Sequence, residues 1–325
     1  MHRSRIWLST FVLILALAAG QATAAATQDA TTTPDLLFAD SLGLPELNVT
    51  ATDETYEGLP AETAAGRYLL SLENAATKEA GIGLMQLPEG VTADDFTAML
   101  AGPPPSAEMA SPAAEMTEEE QTGEGEDGPP EWFFTTKQAG GIYSDNNGQT
   151  VQAIVDLTPG EWIVWGGDPE APQPPVGLTV TGEMPADLPE PEAGVTLTLF
   201  EYGFTIDGTL TAGPQTIKVA NVGAQPHHVF ATRAPEGVTL TKEMVGQILE
   251  LDMQGATPAA DSGLPSPDTF IDSFYMTTLS TGSTAWLAVD LAPGSYVLFC
   301  FVPDIASGMP HAYEGMYEIV TVGDA

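Results

Sequence analysis

Beyond its first 24 residues, the chain's hydrophobic pattern is one of short strands set between Gly- and Pro-rich turns. Residues 216–220 and 229–232 are β-prone runs, separated by the turn-rich connector 221–226. Residues 286–290 and 295–301 are two more, joined across the Pro293-Gly294 turn. A helical period shows in two places. Residues 241–251 carry an apolar stripe of Met244, Ile248 and Leu251, with Thr239 or Thr241 available as the cap. Residues 92–100 carry Phe96, Met99 and Leu100 on the corresponding stripe. Many short strands with one short helix per unit predict an all-β chain of Greek-key β-sandwiches.

The pattern occurs twice. Residues 65–92 lie without a gap on 212–239, so that Asn74 falls on Asn221 and the Pro-Glu-Gly-Val-Thr run at 88–92 falls on the same run at 235–239. Further on, VDLTPGEWIVWG at 155–166 lies on VDLAPGSYVLFC at 289–300. Matching order and shared turn residues predict two sandwich domains in tandem, 45–182 and 195–325. The linker 183–194 between them holds three prolines and is expected to be extended. Residues 102–130 contain eight acidic residues, six prolines and no basic residue. Such a stretch cannot bury a core, which predicts a disordered acidic loop inside the first domain. Residues 25–44 read as a flexible tail.

At the amino terminus, Arg3 and Arg5 precede an apolar run at 6–19 and then Ala22-Thr23-Ala24, the three parts of a secretory signal peptide spanning 1–24. The run is shorter than the roughly 20 residues that cross a bilayer. The chain is therefore expected to be exported, to the periplasm or the exterior, and to keep no integral membrane anchor after cleavage. Charge narrows the partners. Eight Lys and Arg stand against 45 Asp and Glu in 325 residues, a formal charge of −37, which excludes nucleic acid because no phosphate-binding face can be assembled. An apolar content of 43% argues against disorder throughout, and a single cysteine excludes an intramolecular disulfide.

The chemistry concentrates in the second copy. Apart from His2 in the leader, every histidine and the sole cysteine fall in two windows: His227-His228 at the start of a strand, and Cys300, His311 and Met316 around one long loop after a strand. Taken singly, a buried cysteine, a His pair and a loop methionine are ordinary packing or surface residues. Together, two imidazoles, a thiolate and a thioether are the donor set of a blue-copper electron-transfer site. The first copy acts as an internal control. There Ala80, Gly81 and Gly166 replace His227, His228 and Cys300, and no sulfur occurs near Val176, so that domain is expected to be a degenerate copy that binds no metal.

The order Asn221-x-Gly, Pro226-His227, Pro293-Gly294-x-Tyr296 and Cys300…His311…Met316 resembles that of the cupredoxins, the plastocyanin and azurin family. The resemblance covers roughly 195–322, and more weakly 47–181. It implies that His227, Cys300, His311 and Met316 hold one copper ion cycling between Cu(I) and Cu(II), with His228 and Asn221 behind them or as alternative ligands. It also implies one-electron transfer, with His311 as the electron port among Met309, Pro310 and Tyr313. The acidic surface would then steer a redox protein such as a basic cytochrome. Ten residues separate Cys300 from His311, more than in plastocyanins and azurins, and such a loop is expected to relax the ligand geometry. The chain is not expected to be an enzyme. Three histidines cannot supply the His-x-His clusters of multicopper oxidases, and Phe299 and Phe301 flank Cys300 where two-domain nitrite reductases place a histidine. A cupredoxin-like copper carrier and a metal-free protein-binding module remain as alternatives.

Overall fold

A computed structural model describes residues 35–38, 43–101, 130–166 and 173–323. The expected leader, most of the expected tail and the acidic loop up to residue 129 lie outside the described residues. Among those described, no helix is long and apolar enough to cross a membrane.

The first half comprises β1 (Glu46–Ala51), β2 (Tyr56–Glu57), β3 (Glu62–Ala64), β4 (Gly66–Asn74), β5 (Ala80–Gln86), helix α1 (Ala93–Ala101), β6 (Lys137–Ser144), β7 (Thr150–Leu157), β8 (Gly160–Trp165) and β9 (Val176–Thr181). The second comprises β10 (Val195–Phe200), β11 (Gly203–Gly208), β12 (Gly213–Asn221), β13 (His227–Arg233), helix α2 (Lys242–Met253), β14 (Ile271–Leu279), β15 (Thr284–Leu291), β16 (Gly294–Phe299) and β17 (Tyr317–Val322). Strands β4 and β12, β5 and β13, β7 and β15, and β8 and β16 occupy equivalent places in the two halves, in the register of the sequence repeat. Alternation along them is regular: in β10 the residues Val195, Leu197 and Leu199 point into the core and the threonines between them are half-buried. Among the described residues, the chain is thus an all-β, two-sandwich protein with one short helix in each half.

Helix α2 begins where its cap predicts, with the Thr241 side chain accepting a hydrogen bond from the Met244 N–H at 3.2 Å. Its buried face is a correction to the sequence reading. Val245 and Leu249 are buried, whereas Met244, Ile248 and Leu251 are only half-buried, so the stripe is turned by one residue toward the core of Leu240, Val297 and Ala234.

The halves are fused rather than merely tethered. Strand β15 pairs with β7 across the seam, Trp286 opposite Ile154 and Leu287 opposite Ala153. On the other layer Leu279 of β14 lies opposite Ala139 of β6, and the Ser280 N–H donates to the Gln138 carbonyl at 2.9 Å. The result is one eight-stranded and one nine-stranded sheet, each running through both halves. One continuous core lies between them, shared by Leu70, Ile82 and Val155 on one side and Leu197, Val229 and Leu287 on the other.

The linker 183–194 has no regular secondary structure but does not hang free. The Arg67 guanidinium donates to the Pro189 carbonyl at 2.7 Å, and Lys218 pairs with Glu190.

Candidate metal centre

Strand pairing brings the singled-out residues to one end of the second sandwich. Because β13 and β16 run antiparallel, with Phe230 opposite Phe299, the beginning of β13 meets the end of β16. His227 is the first residue of β13, and Cys300 follows the last residue of β16. A register shift between His227 and Val229 re-aims the two neighbouring histidines, and both are fully buried. His311 opens a short 3₁₀ turn, and Met316 directly precedes β17. The Met316 N–H donates to the His311 carbonyl at 2.9 Å, and the Cys300 N–H donates to the Met316 carbonyl at 3.2 Å. The side chains of His227, Cys300, His311 and Met316 are all completely shielded from solvent.

Three donor atoms face one another. His227 Nδ1 and His311 Nδ1 are 3.0 Å apart, and Cys300 Sγ lies 3.7 Å from the first and 3.5 Å from the second. The point equidistant from all three is about 2 Å from each, which is a metal–ligand bond length. His227 Nε2 is 3.3 Å from Glu201 Oε1, and a proton held there leaves the Nδ1 lone pair directed into the triangle. His311 Nε2 is buried without a hydrogen-bond partner among the described residues. The residues therefore fit a metal ion, and among described residues this is the one His/Cys/Asp/Glu grouping with metal-binding geometry. Two imidazoles and a thiol are the donor set that copper prefers.

The electrostatics agree with that role. Burial lowers the pKa of His227 against the opposing pull of Glu201. His311 is lowered to about 4 by burial and then by its proximity to His227. Both rings are neutral near pH 7, the form that donates a lone pair. Burial pushes the Cys300 thiol up to about 12, offset in part by the N–H groups of His228 and Val302. Metal binding there would release the thiol proton.

His228 and Asn221 present no donor atom to the cluster. His228 Nε2 accepts from the Phe301 N–H at 2.8 Å, so its other ring nitrogen, 3.2 Å from the Tyr275 hydroxyl, carries the proton. Its own backbone N–H points at Cys300 Sγ at 3.4 Å. His228 thus braces the backbone on either side of the cysteine. Asn221 donates to the carbonyls of Gln225 and Leu279, both at 2.8 Å, and accepts from the Gly223 N–H, which fixes the turn leading into His227. Asn74 makes the same pattern in the first half, donating to the carbonyls of Lys78 and Ser144 and accepting from Ala76 N–H. Asn221 therefore belongs to the repeated scaffold.

The long loop does not spread the ligands. Pro303 and Pro310 form a β-bridge, and the His311 N–H donates to the Val302 carbonyl at 2.9 Å, so the intervening residues are pinched off as a closed excursion. Asp304 holds that excursion together. Its Oδ1 accepts from the Ala306 and Ser307 N–H groups, at 2.9 and 2.6 Å, and its Oδ2 accepts from the Tyr202 hydroxyl at 2.8 Å and the Gln225 amide at 2.7 Å. Burial opposes the charge on Asp304, but these donors outweigh it and hold the carboxyl far below the usual range. The expectation of a relaxed geometry is corrected accordingly: the chain returns beside Cys300 within a few residues' worth of backbone.

The surroundings of His311 also differ from expectation. The ring is wholly buried, and Tyr202 packs edge-on against it with ring centroids 5.3 Å apart. Tyr313 lies instead against Phe301, with its hydroxyl bonded to Asp252 of α2. Glu201, Tyr202, Gln225 and Asp304 were not singled out from the sequence. One Glu and one Asp among 45 acidic residues carry no mark of their own.

Two expected outcomes test these details. Glu201→Ala should weaken metal binding about 10-fold or more, because it removes the acceptor that fixes the His227 tautomer; copper titration of both proteins checks it. In the first half, Gly166 has φ +150°, and a Cβ there would lie 2.3 Å from the Gly81 carbonyl oxygen, which also accepts from the Tyr56 hydroxyl. Gly166→Cys is therefore expected to create no metal site and to cost about 2 kcal/mol or more in chemical denaturation.

No protein-family model matches the chain, and no curated protein sequence matches it. Solved structures with similarity include a dithionite-reduced auracyanin from Roseiflexus castenholzii, 20% identical over 39% of this chain and 94% of that one, TM-score 0.25. A multicopper oxidase is 11% identical over 86% of this chain and 88% of its own, TM-score 0.22. A copper nitrite reductase from Nitrosomonas europaea is 11% identical over 85% and 93%, TM-score 0.21. The expectation that the chain is not an enzyme is corrected by these last two. Both are enzymes by name and align with most of its length. On its own topology and on the ends of β13 and β16, the chain is two fused sandwiches of cupredoxin-like fold, with the His–Cys–His cluster in the second.

Proposed function

We propose that the protein is an exported blue-copper protein in which His227, Cys300, His311 and Met316 hold one copper ion and single electrons pass between its Cu(I) and Cu(II) states. The observation that carries this reading is the buried triangle of two neutral imidazole nitrogens and one sulfur, centred about 2 Å from each donor. Copper held there supplies a one-electron couple. The protein supplies the fixed frame. Glu201 orients His227, the N–H groups of His228 and Val302 stabilise charge on the Cys300 sulfur, and Asp304 ties the loop that returns His311. Full burial of the four side chains keeps water out, so little solvent has to reorganise when charge changes.

At this end of the molecule Tyr202, Val222, Ile305 and Met309 are exposed by 37%, 64%, 56% and 39%. We read this apolar surface as the contact for a redox partner, with Tyr202 lying between the surface and His311. The charge of −37 favours a basic partner such as a cytochrome. Export rests on the signal-like leader at 1–24.

The test is electron exchange between the copper-loaded protein and a basic cytochrome, followed by stopped flow. The reading expects a reversible one-electron reaction that slows as salt rises and slows further in Tyr202→Ala. A protein that binds copper but shows no reversible one-electron couple would overturn it.

A further inference from the structure

Three of the chain's eight Lys and Arg residues line one cleft, whose lining includes none of the residues of the metal centre. In a chain with 45 acidic residues such a concentration is unexpected. The cleft has a volume of about 370 Å³ and takes Arg67 and Lys137 from the first half and Lys218 and Trp286 from the second.

Trp286 sits at the seam itself, opposite Ile154. The Arg67 guanidinium carbon lies 4.3 Å from the Trp286 ring centroid, and the Lys218 ammonium lies 5.7 Å from it. The indole is 1% exposed, and its Nε1–H has no hydrogen-bond partner among the described residues. An unmade bond at a buried donor is costly, so the position calls for an acceptor. The three cationic side chains of the cleft offer only donors. Arg67 is 9% exposed; it spends one N–H on each Asp156 oxygen, at 2.7 and 2.8 Å, and one on the Pro189 carbonyl, which leaves two of its five. Lys137 is exposed, and its ammonium has no ion-pair partner among the described residues.

The linker supplies the one carboxylate that crosses this cleft from outside the sheets. Glu190 pairs with Lys218, and the adjacent Pro189 carbonyl holds Arg67. Glu190 itself is largely exposed and free to leave. A carboxylate from the chain already lies where an incoming one would bind.

We propose that this seam cleft is a binding site for a small oxyanion, recognised by Lys137, Lys218 and Arg67 beside the Trp286 indole, with Glu190 as an internal competitor. Occupancy would join residues from both halves. The site stands apart from the metal centre and does not depend on copper.

Inorganic phosphate and succinate, as probes of the tetrahedral and carboxylate forms of this chemistry, would be titrated calorimetrically into the purified protein with ionic strength held constant by NaCl. Saturable binding of either supports the site, and the one that binds names the form. Lys137→Gln should weaken it at least about fivefold and Glu190→Gln should strengthen it about threefold. Lys242→Gln makes the same charge change at an ion pair with Glu318 outside the cleft, and should leave binding unaltered. The indole N–H resonance that disappears in Trp286→Phe should shift on titration in the wild type. The proposal is overturned if neither probe binds saturably, if Lys137→Gln and Lys242→Gln act alike, or if the Trp286 resonance does not move.

Discussion

Asp304→Ala is expected to destabilise the protein by about 3 kcal/mol and to weaken copper binding by about 10- to 100-fold. Asp304 is 4% exposed and takes four hydrogen bonds, from the Ala306 and Ser307 N–H groups, the Tyr202 hydroxyl and the Gln225 amide. Removing the carboxylate leaves all four donors to find other partners. Three pieces of chain lose their common anchor: the hairpin that carries Glu201 and Tyr202, the turn before His227, and the excursion before His311. The sign is informative, because removing one negative charge from a chain at −37 relieves general repulsion and on that account alone would stabilise it. Asp304→Asn keeps an acceptor for some of these donors and should fall between wild type and Ala. Urea denaturation gives the first quantity, and competition with a chelator gives the second.

Gly141→Ala is expected to be at least as damaging, at about 3 kcal/mol or more, although it lies in the half whose described residues hold no His/Cys/Asp/Glu metal grouping. Gly141 faces Gly83 across β5 and β6, and a Cβ there would stand 1.9 Å from the Ile82 carbonyl oxygen and 2.8 Å from the Thr277 hydroxyl of β14. A backbone atom cannot yield as a side chain does, so the pairing itself must open. Since β6 hands the nine-stranded sheet on to β14, the strain reaches the second half directly. The wild type should therefore unfold in a single calorimetric transition, and Gly141→Ala should lower that transition as a whole. Two separate transitions, with only the first affected by the substitution, would show that the seam does not couple the halves.

The seam is the feature the sequence conceals. Internal repetition predicts two similar sandwiches, and strands β4, β5, β12 and β13 stand in the register of the aligned segments. Nothing in a single strand's pattern states which edge will meet which. Trp286 and Ile154 are apolar residues of ordinary strands whether or not they face each other, and edge pairing depends on shape over the whole sheet. The candidate ligands were legible for the opposite reason. Histidine, cysteine and loop methionine are rare here, and the first half shows that the scaffold does without them at Ala80, Gly81 and Gly166. The residues that position those ligands were hidden by abundance: Glu201 and Asp304 look like any other acid until the turn at 200–203 and the bridge between Pro303 and Pro310 place them. Loop length misled as well, because counting residues between Cys300 and His311 cannot reveal that a bridge shortens the path.

The central claim is that His227, Cys300 and His311 share one copper ion through the thiolate. Optical and EPR titration of the protein with Cu(II), alongside Cys300→Ser, tests it most directly. The account predicts an intense visible thiolate-to-copper absorption that saturates at one equivalent and is absent in Cys300→Ser. Colourless binding that persists unchanged in Cys300→Ser, or no binding at all, would contradict it.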